Sequence, residues 1–209
     1  QFSKPACVIV KHANPCGVAE SDSLIKSYNY AYNTDPISAF GGIIAFNKTL
    51  DSKLLKKIIS QQFVEVILAL GFDKACLDII KTKPNVRLLI IKNSSYNHKE
   101  LEMKTLKNKM LIQQTDTIML KEKDLKFVTR KRPTKKQMTD LIFAFKVSRY
   151  VKSNAIVFAK NSRTLAIGAG QMSRIDSTNI AKSKAKKHDI SLKGCVMASE
   201  AFFPFRDNV

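Results

Sequence analysis

A chain of 209 residues that is 44% hydrophobic and 25% charged has enough apolar side chains for a buried core. No apolar run approaches the roughly 18–20 residues that span a bilayer, so it reads as a globular protein and not a membrane one. The formal charge of +19 raises nucleic acid as a partner, but only seven of the 36 cations are arginine and the lysines are scattered along the chain, a pattern that fits solvated faces better than a phosphate-binding stripe.

The beginning, Gln1-Phe-Ser-Lys-Pro-Ala-Cys-Val-Ile-Val, runs straight into an apolar segment without the charged end and cleavage site of a signal peptide. Residues 6–10 predict a strand, and Lys11-His-Ala-Asn-Pro-Cys-Gly17 a loop punctuated by Pro and Gly. A helix follows over 21–33, with Ser21 or Ser23 as its cap, and Thr34-Asp-Pro-Ile-Ser38 breaks it. Strands at 40–46, 64–69 and 86–91 alternate with helices at 54–62 and 73–81, the signature of an α/β layered domain.

Residues 92–126 are rich in Lys and Asn and predict an irregular or two-stranded excursion, with 111–114 and 116–120 as candidate strands. A boundary near 126 separates a first unit, 1–126, from a second, 127–209. The second opens on a helix at 135–150 with Met138, Leu141, Ile142, Phe145 and Val147 on one face. A strand at 153–159, its hairpin partner at 165–168 and a helix running to Ala185 follow. Arg206-Asp-Asn-Val209 stops just after an aromatic cluster, so the expectation is a segment cut from a longer chain, its second unit incomplete. The four cysteines, Cys7, Cys16, Cys76 and Cys195, form no C-x-x-C pair. Reduced, buried thiols and a cytoplasmic location are the expectation.

Lys11 and His12 stand where a strand ends and a loop begins, the edge at which open α/β sheets bind ligands. An imidazole titrates near neutral pH and takes a proton, while a neighbouring ammonium stabilises negative charge developing on a carbonyl oxygen. A bare Lys-His dipeptide reads as a surface lysine beside a packed histidine. The Pro and Gly that follow shift that reading, because they fix the backbone presenting the pair. Gly168-Ala-Gly-Gln-Met-Ser-Arg174 reads equally as a phosphate or carboxylate cradle and as an ordinary Gly-rich turn before a helix. Ser199-Glu-Ala-Phe-Phe-Pro-Phe-Arg-Asp207 reads as core aromatics or as a wall for a flat heterocycle.

Five segments in order, Lys11-His-Ala-Asn-Pro-Cys-Gly, Asp35-Pro-Ile-Ser-Ala-Phe-Gly-Gly, Lys152-Ser-Asn-Ala-Ile-Val, Gly168-Ala-Gly-Gln-Met-Ser-Arg and Ala201-Phe-Phe-Pro-Phe-Arg-Asp-Asn, resemble the signatures of the bifunctional purine-biosynthesis family that joins an aminoimidazole carboxamide ribotide transformylase to an IMP cyclohydrolase. The resemblance runs from about residue 4 to 209 and falls in the transformylase half. It implies a three-layer α/β/α fold of two cytidine-deaminase-like units, sites at a homodimer interface, and formyl transfer from the cosubstrate 10-formyltetrahydrofolate to the 5-amino group of the ribotide.

By that resemblance His12 is the general base and Lys11 the transition-state stabiliser, while Asn154 holds the ribotide carboxamide or the reacting formyl group. Phe40, Gly41, Glu65, Arg174 and Phe202 match ribotide-binding positions, and Ile175 and Asp207 match folate-binding positions. An interior monovalent cation is compatible with the family, and zinc is not implied. The chain departs from the family pattern at Glu200, where Asp is usual, and lacks the family's upstream Arg-Tyr contact, its Pro-Gly-Gly-Ser-type loop and its terminal Arg-His-Phe-like segment. A zinc deaminase is excluded by the missing H-x-E and P-C-x-x-C. The alternatives are a basic nucleic-acid-binding module and an inactive, degenerate fragment.

Overall fold

The fold is described from a computed structural model over residues 2–91, 101–203 and 205–206. Strands β1 (Ala6–Lys11) and β2 (Asn14–Glu20) form an antiparallel hairpin. Its turn is His12-Ala13, with φ of 51° and 58°, the left-handed pair that matches the twist of the flanking strands. The sequence predicts a loop over 11–17, but the chain turns at once and continues as strand. Pro15 is tolerated there because it sits at a register shift opposite Val10, on a stretch of β2 with no backbone partner on its other side.

Helix α1 (Leu24–Thr34) is capped by Ser23, whose hydroxyl accepts from the Lys26 amide. The predicted break after it is a single turn, α2 (Pro36–Ala39), capped by Asp35. Strand β3 (Gly42–Phe46), α3 (Ser52–Gln61), β4 (Val64–Ala69), α4 (Lys74–Lys81) and β5 (Arg87–Ile90) alternate as expected. Asp51 and Asp73 cap the two helices.

Strands β6 (Leu101–Leu106) and β7 (Lys109–Gln114) pair in a separate hairpin, so the strand predicted at 111–114 finds its partner before it and not after. The other candidate, 116–120, is not a strand. Helix α5 (Lys135–Ser148) is followed by Arg149, whose guanidinium donates to the carbonyl oxygens of Asp116 and Ile118 and pairs with the Asp116 carboxylate at 2.8 Å. Carbonyls taken by a side chain are lost to a ladder. The part of the excursion at 92–100 lies outside the described residues.

The chain ends in β8 (Ile156–Lys160), β9 (Arg163–Gly168), α6 (Arg174–Lys187), capped by Ser173, and β10 (Val196–Ala198). Strand β8 starts three residues later than predicted because the backbone of Asn154 is turned to the Gln171 carbonyl, 3.1 Å away.

Among the described residues, eight strands form one sheet in the order β10-β8-β9-β2-β1-β3-β4-β5. Along β8 the side chains alternate: Val157 and Ala159 face α5 with Phe143 and Val147, whereas Ile156 and Phe158 face α6 with Ala181 and Ala185. Helices therefore cover both faces here, in three layers. On β1, Cys7 and Ile9 pack with Tyr28 and Ala31 of α1 and Leu55 and Ile58 of α3, while Val8 turns to the α5 side.

The two hairpins repeat one design. Lys11-Asn14, Val10-Pro15 and Ile9-Gly17 pair in β1–β2 with Cys16 skipped, and Lys160-Arg163, Ala159-Thr164 and Phe158-Ala166 pair in β8–β9 with Leu165 skipped. The second turn, Asn161-Ser162, also has positive φ, 56° and 54°. Ser27 donates to Pro5 O at 2.7 Å, and Ser177 to Asn154 O at 2.6 Å. Because β2 and β9 are antiparallel neighbours, the copies are related by an approximate two-fold axis normal to the sheet.

Backbone pairing between β2 and β9 is confined to Ala19 and Arg163, with Glu20 N bonded to Ser162 O. The next step runs through a side chain. Thr164 Oγ1 accepts from Val18 N at 2.9 Å, approaches Val18 O at 3.1 Å, and lies 2.8 Å from Thr34 Oγ1. Beyond this wedge the strands are unpaired, and the opening lies between the first hairpin turn and the loop after β9.

Candidate functional site

Strand directions decide which residues can meet. The end of β1 carries Lys11 and His12; β3 is antiparallel to β1, so its start, with Phe40 and Gly41 before it, lies at the same edge. Strand β4 is parallel to β3 and brings Glu65 there. Following the alternation through β2, β9, β8 and β10, the end of β9, the start of β8 with Asn154, the start of α6 with Arg174 and Ile175, and the segment after β10 with Phe202 all emerge at that edge. Asp207 lies outside the described residues.

The two-residue turn sets the catalytic candidates firmly. His12 is exposed at the turn, and Lys11 at the end of β1 donates from Nζ to Phe40 O at 2.6 Å. This bond takes one of three ammonium protons and leaves two for a ligand. Gly41, with φ 71°, donates its N–H to Phe63 O at 2.9 Å. Its φ is one that L side chains avoid. The rings of Phe40 and Phe63 lie 5.4 Å apart, and Phe40 is 60% exposed, so a flat apolar face is open beside Lys11. A pocket of about 500 Å³ runs from these rings along Gln62 to Lys83.

In the opening between β2 and β9 lies a pocket of about 260 Å³, lined by Lys11, His12, Asn14, Asp35, Gln171 and Lys184 among others. Asn14 ties its rim together, accepting at Oδ1 from Lys152 N at 2.9 Å. Asn154 stands behind Gln171. Its Nδ2 donates to Gln171 O at 2.9 Å and Met172 O at 3.0 Å. Two carbonyl acceptors engage the amide nitrogen, so Oδ1 is the atom left to face a ligand, as an acceptor.

Arg174 donates from Nε to Ser199 Oγ at 2.8 Å and from Nη2 to Glu200 at 3.0 Å. Glu200 also accepts from Ala155 N at 2.9 Å. Burial pushes the Glu200 carboxyl up, but the Ala155 amide and its other donors outweigh that and hold it below the usual range. The longer acid at this position is thus satisfied where it stands. Phe202 and Phe205 are exposed, at 78% and 72%, whereas Phe203 packs against the α6 core, so the aromatic cluster divides between wall and core.

Asp35 is 5% exposed. Burial would raise its carboxyl, but hydrogen bonds from Lys184 and Ser38 hold it below the usual range. The glycines of the 168–174 loop have different explanations. A Cβ on Gly168 would lie 1.9 Å from Ser177 O, so this residue lets α6 approach β9; Gly170 needs its φ of 71° and has nothing within 4 Å. The free thiols of Cys7, Cys16 and Cys76 are buried, and burial lifts all three above the ordinary thiol range, Cys16 to about 11 and Cys76 to about 12. They are inert by that measure. Among the described residues no group of three or more His, Cys, Asp or Glu side chains could hold a metal ion, and no helix is long and apolar enough to cross a membrane.

Sequence reasoning missed the roles of Asn14, Asp35, Gln171 and Lys184. The first three lie inside the motifs quoted above, and Asp35 caps α2 through Ser38 three residues on, but its bond to Lys184 and that of Asn14 to Lys152 span more than a hundred residues and no local pattern marks them.

Two comparisons bear on the chain as a whole. The family model described as AICARFT/IMPCHase bienzyme matches residues 1–184. The bifunctional purine biosynthesis protein PurH of Buchnera aphidicola subsp. Schizaphis graminum (strain Sg) is 53% identical over 210 aligned positions, which cover all of this chain and 40% of that protein. The chain therefore spans well under half the length of the curated relative that it matches.

Proposed function

Because the chain belongs to the AICARFT/IMPCHase bienzyme family, we propose that it forms part of the formyl-transfer half of a purine-biosynthesis enzyme, moving a formyl group from 10-formyltetrahydrofolate to the 5-amino group of aminoimidazole carboxamide ribotide. The observation that carries the reading is the convergence of Lys11, His12, Phe40, Gly41, Glu65, Asn154 and Arg174 on one edge of the sheet. The strand order 2-1-3-4-5 of the first unit, begun again in the second, supports two cytidine-deaminase-like units divided near residue 126. The reading includes a homodimer in the cytoplasm, as the family resemblance implies.

In this reading the ribotide amine bonds to the formyl carbon as it gives up a proton to His12, and the Lys11 ammonium stabilises the charge on the formyl oxygen. Collapse breaks the bond to N10 of tetrahydrofolate, which receives the proton. Phe40 offers a face to the heterocycle. Asn154, with Oδ1 left as acceptor, suits the N–H groups of the carboxamide and not the formyl oxygen. Gly41, Glu65, Arg174 and Phe202 hold the ribotide, and Ile175 and Asp207 the folate.

The test is His12→Ala in the full-length gene product, with formylated ribotide measured by chromatography. Turnover lost with ribotide binding kept supports the role; normal turnover removes it.

A further inference from the structure

The buried Asp35 carboxylate gathers donors from both halves of the fold. It accepts from Ser38 N at 3.0 Å and Ser38 Oγ at 2.6 Å, lies 2.8 Å from Lys184 Nζ, and has His188 Nε2 at 3.5 Å. Breaking a buried ion pair by removing one partner is costly, yet the intact pair adds little net stability, and what such pairs best supply is a fixed geometry. Two short paths lead from this pair to the site. On one side, Asp35 caps α2, which hands the chain to Phe40, the residue whose carbonyl holds Lys11 Nζ. On the other, Lys184 belongs to α6, whose first residue is Arg174 and whose Ser177 holds Asn154 O at 2.6 Å.

Strands β2 and β9 have no backbone ladder at this level. The Asp35–Lys184 contact therefore bridges the opening where the sheet does not.

We propose that Asp35 and Lys184 are positioning residues: their ion pair fixes the Lys11–His12 turn and its Phe40 carbonyl relative to the Asn154–Arg174 half of the site. The proposal rests on the reading of Lys11 and His12 as the catalytic pair. Small displacements of such groups are costly, about a hundredfold per ångström.

Lys184→Met, Lys184→Arg and Asp35→Asn in the full-length gene product test it, with two readouts. Lys184 is 39% exposed and Asp35 keeps its two Ser38 donors in Lys184→Met, while Lys184→Arg keeps a cation beside the carboxylate, so the test stands even if Asp35→Asn does not fold. Formyl transfer is expected to fall about tenfold or more in kcat for Lys184→Met, with ribotide KM changed less than about threefold, and to recover to within about threefold in Lys184→Arg. The amide resonances of His12 and Phe40 in 15N-labelled protein are expected to move in Lys184→Met and to return in Lys184→Arg. Unmoved resonances, or equal kcat in wild type and Lys184→Met, overturn the proposal. If wild-type protein makes no formylated product, the functional reading fails by itself, and the resonances alone then decide whether the clamp exists.

Discussion

Lys11 Nζ lies 2.6 Å from Phe40 O, and the second copy of the hairpin repeats the bond: Lys160 Nζ lies 2.8 Å from Lys193 O. The residues after the two acceptors, Gly41 and Gly194, have φ of 71° and 67°. The lysine-to-carbonyl bond is thus a part of the fold that exists with or without a histidine beside it. Lys11 does structural work that Lys160 also does, and the proposed chemistry would be the difference between them.

Comparing Lys11→Met with Lys160→Met separates the two roles. Each loses one charge-assisted bond on a partly exposed side chain, about 1 kcal/mol of stability in urea unfolding. Only Lys11→Met is expected to lose formyl transfer, by about a hundredfold or more. Equal losses of activity in both variants refute the distinction.

Gly17→Ala and Gly168→Ala are expected to cost about 3 kcal/mol or more, or to abolish soluble expression. Their Cβ atoms would lie 1.8 Å and 1.9 Å from the backbone oxygens of Ala31 and Ser177, and backbone cannot swing aside. Gly170→Ala, with open space but φ 71°, is expected to cost about 1 kcal/mol. Urea midpoints rank the three.

Thr164→Val keeps the shape of the wedge and removes its hydroxyl. Val18 N and Thr34 Oγ1 lose a buried partner, at about 2–3 kcal/mol by chemical denaturation. A loss under about 0.5 kcal/mol would show that these groups find other partners.

The acid limb of stability has a definite sign. Burial pushes Asp35 and Glu200 up, but their hydrogen-bond donors win and the folded-state pKa values are depressed. The unfolded chain then binds more protons, so the contribution is complete above the unfolded values, about 3.9 for Asp and 4.3 for Glu, and fades as pH falls through the lower folded ones. Unfolding free energies measured between pH 6 and 3 should fall toward acid, and less steeply in Asp35→Asn. An equal slope in that variant contradicts the assignment.

Segments with strong local signals are read well from sequence. Val64–Ala69 carries three β-branched residues in six, and α5 follows a Thr134–Gln137 capping box. What escaped depends on distant partners. The hairpin turn uses His12-Ala13 in place of the Asn-Gly that flags such turns, β10 has only three residues, and the pairing of Arg149 with Asp116 cancels a strand that local propensity favours. In the site, the Lys-His turn stands out by residue type, whereas Asp35 and Lys184 are 149 positions apart and meet only through the fold.

The two-fold relation between the hairpins puts different side chains on equivalent backbone. Each sheet edge holds the turn of one copy beside the open end of the other. His12 stands at one turn and Asn161 at its counterpart, on backbone of the same conformation.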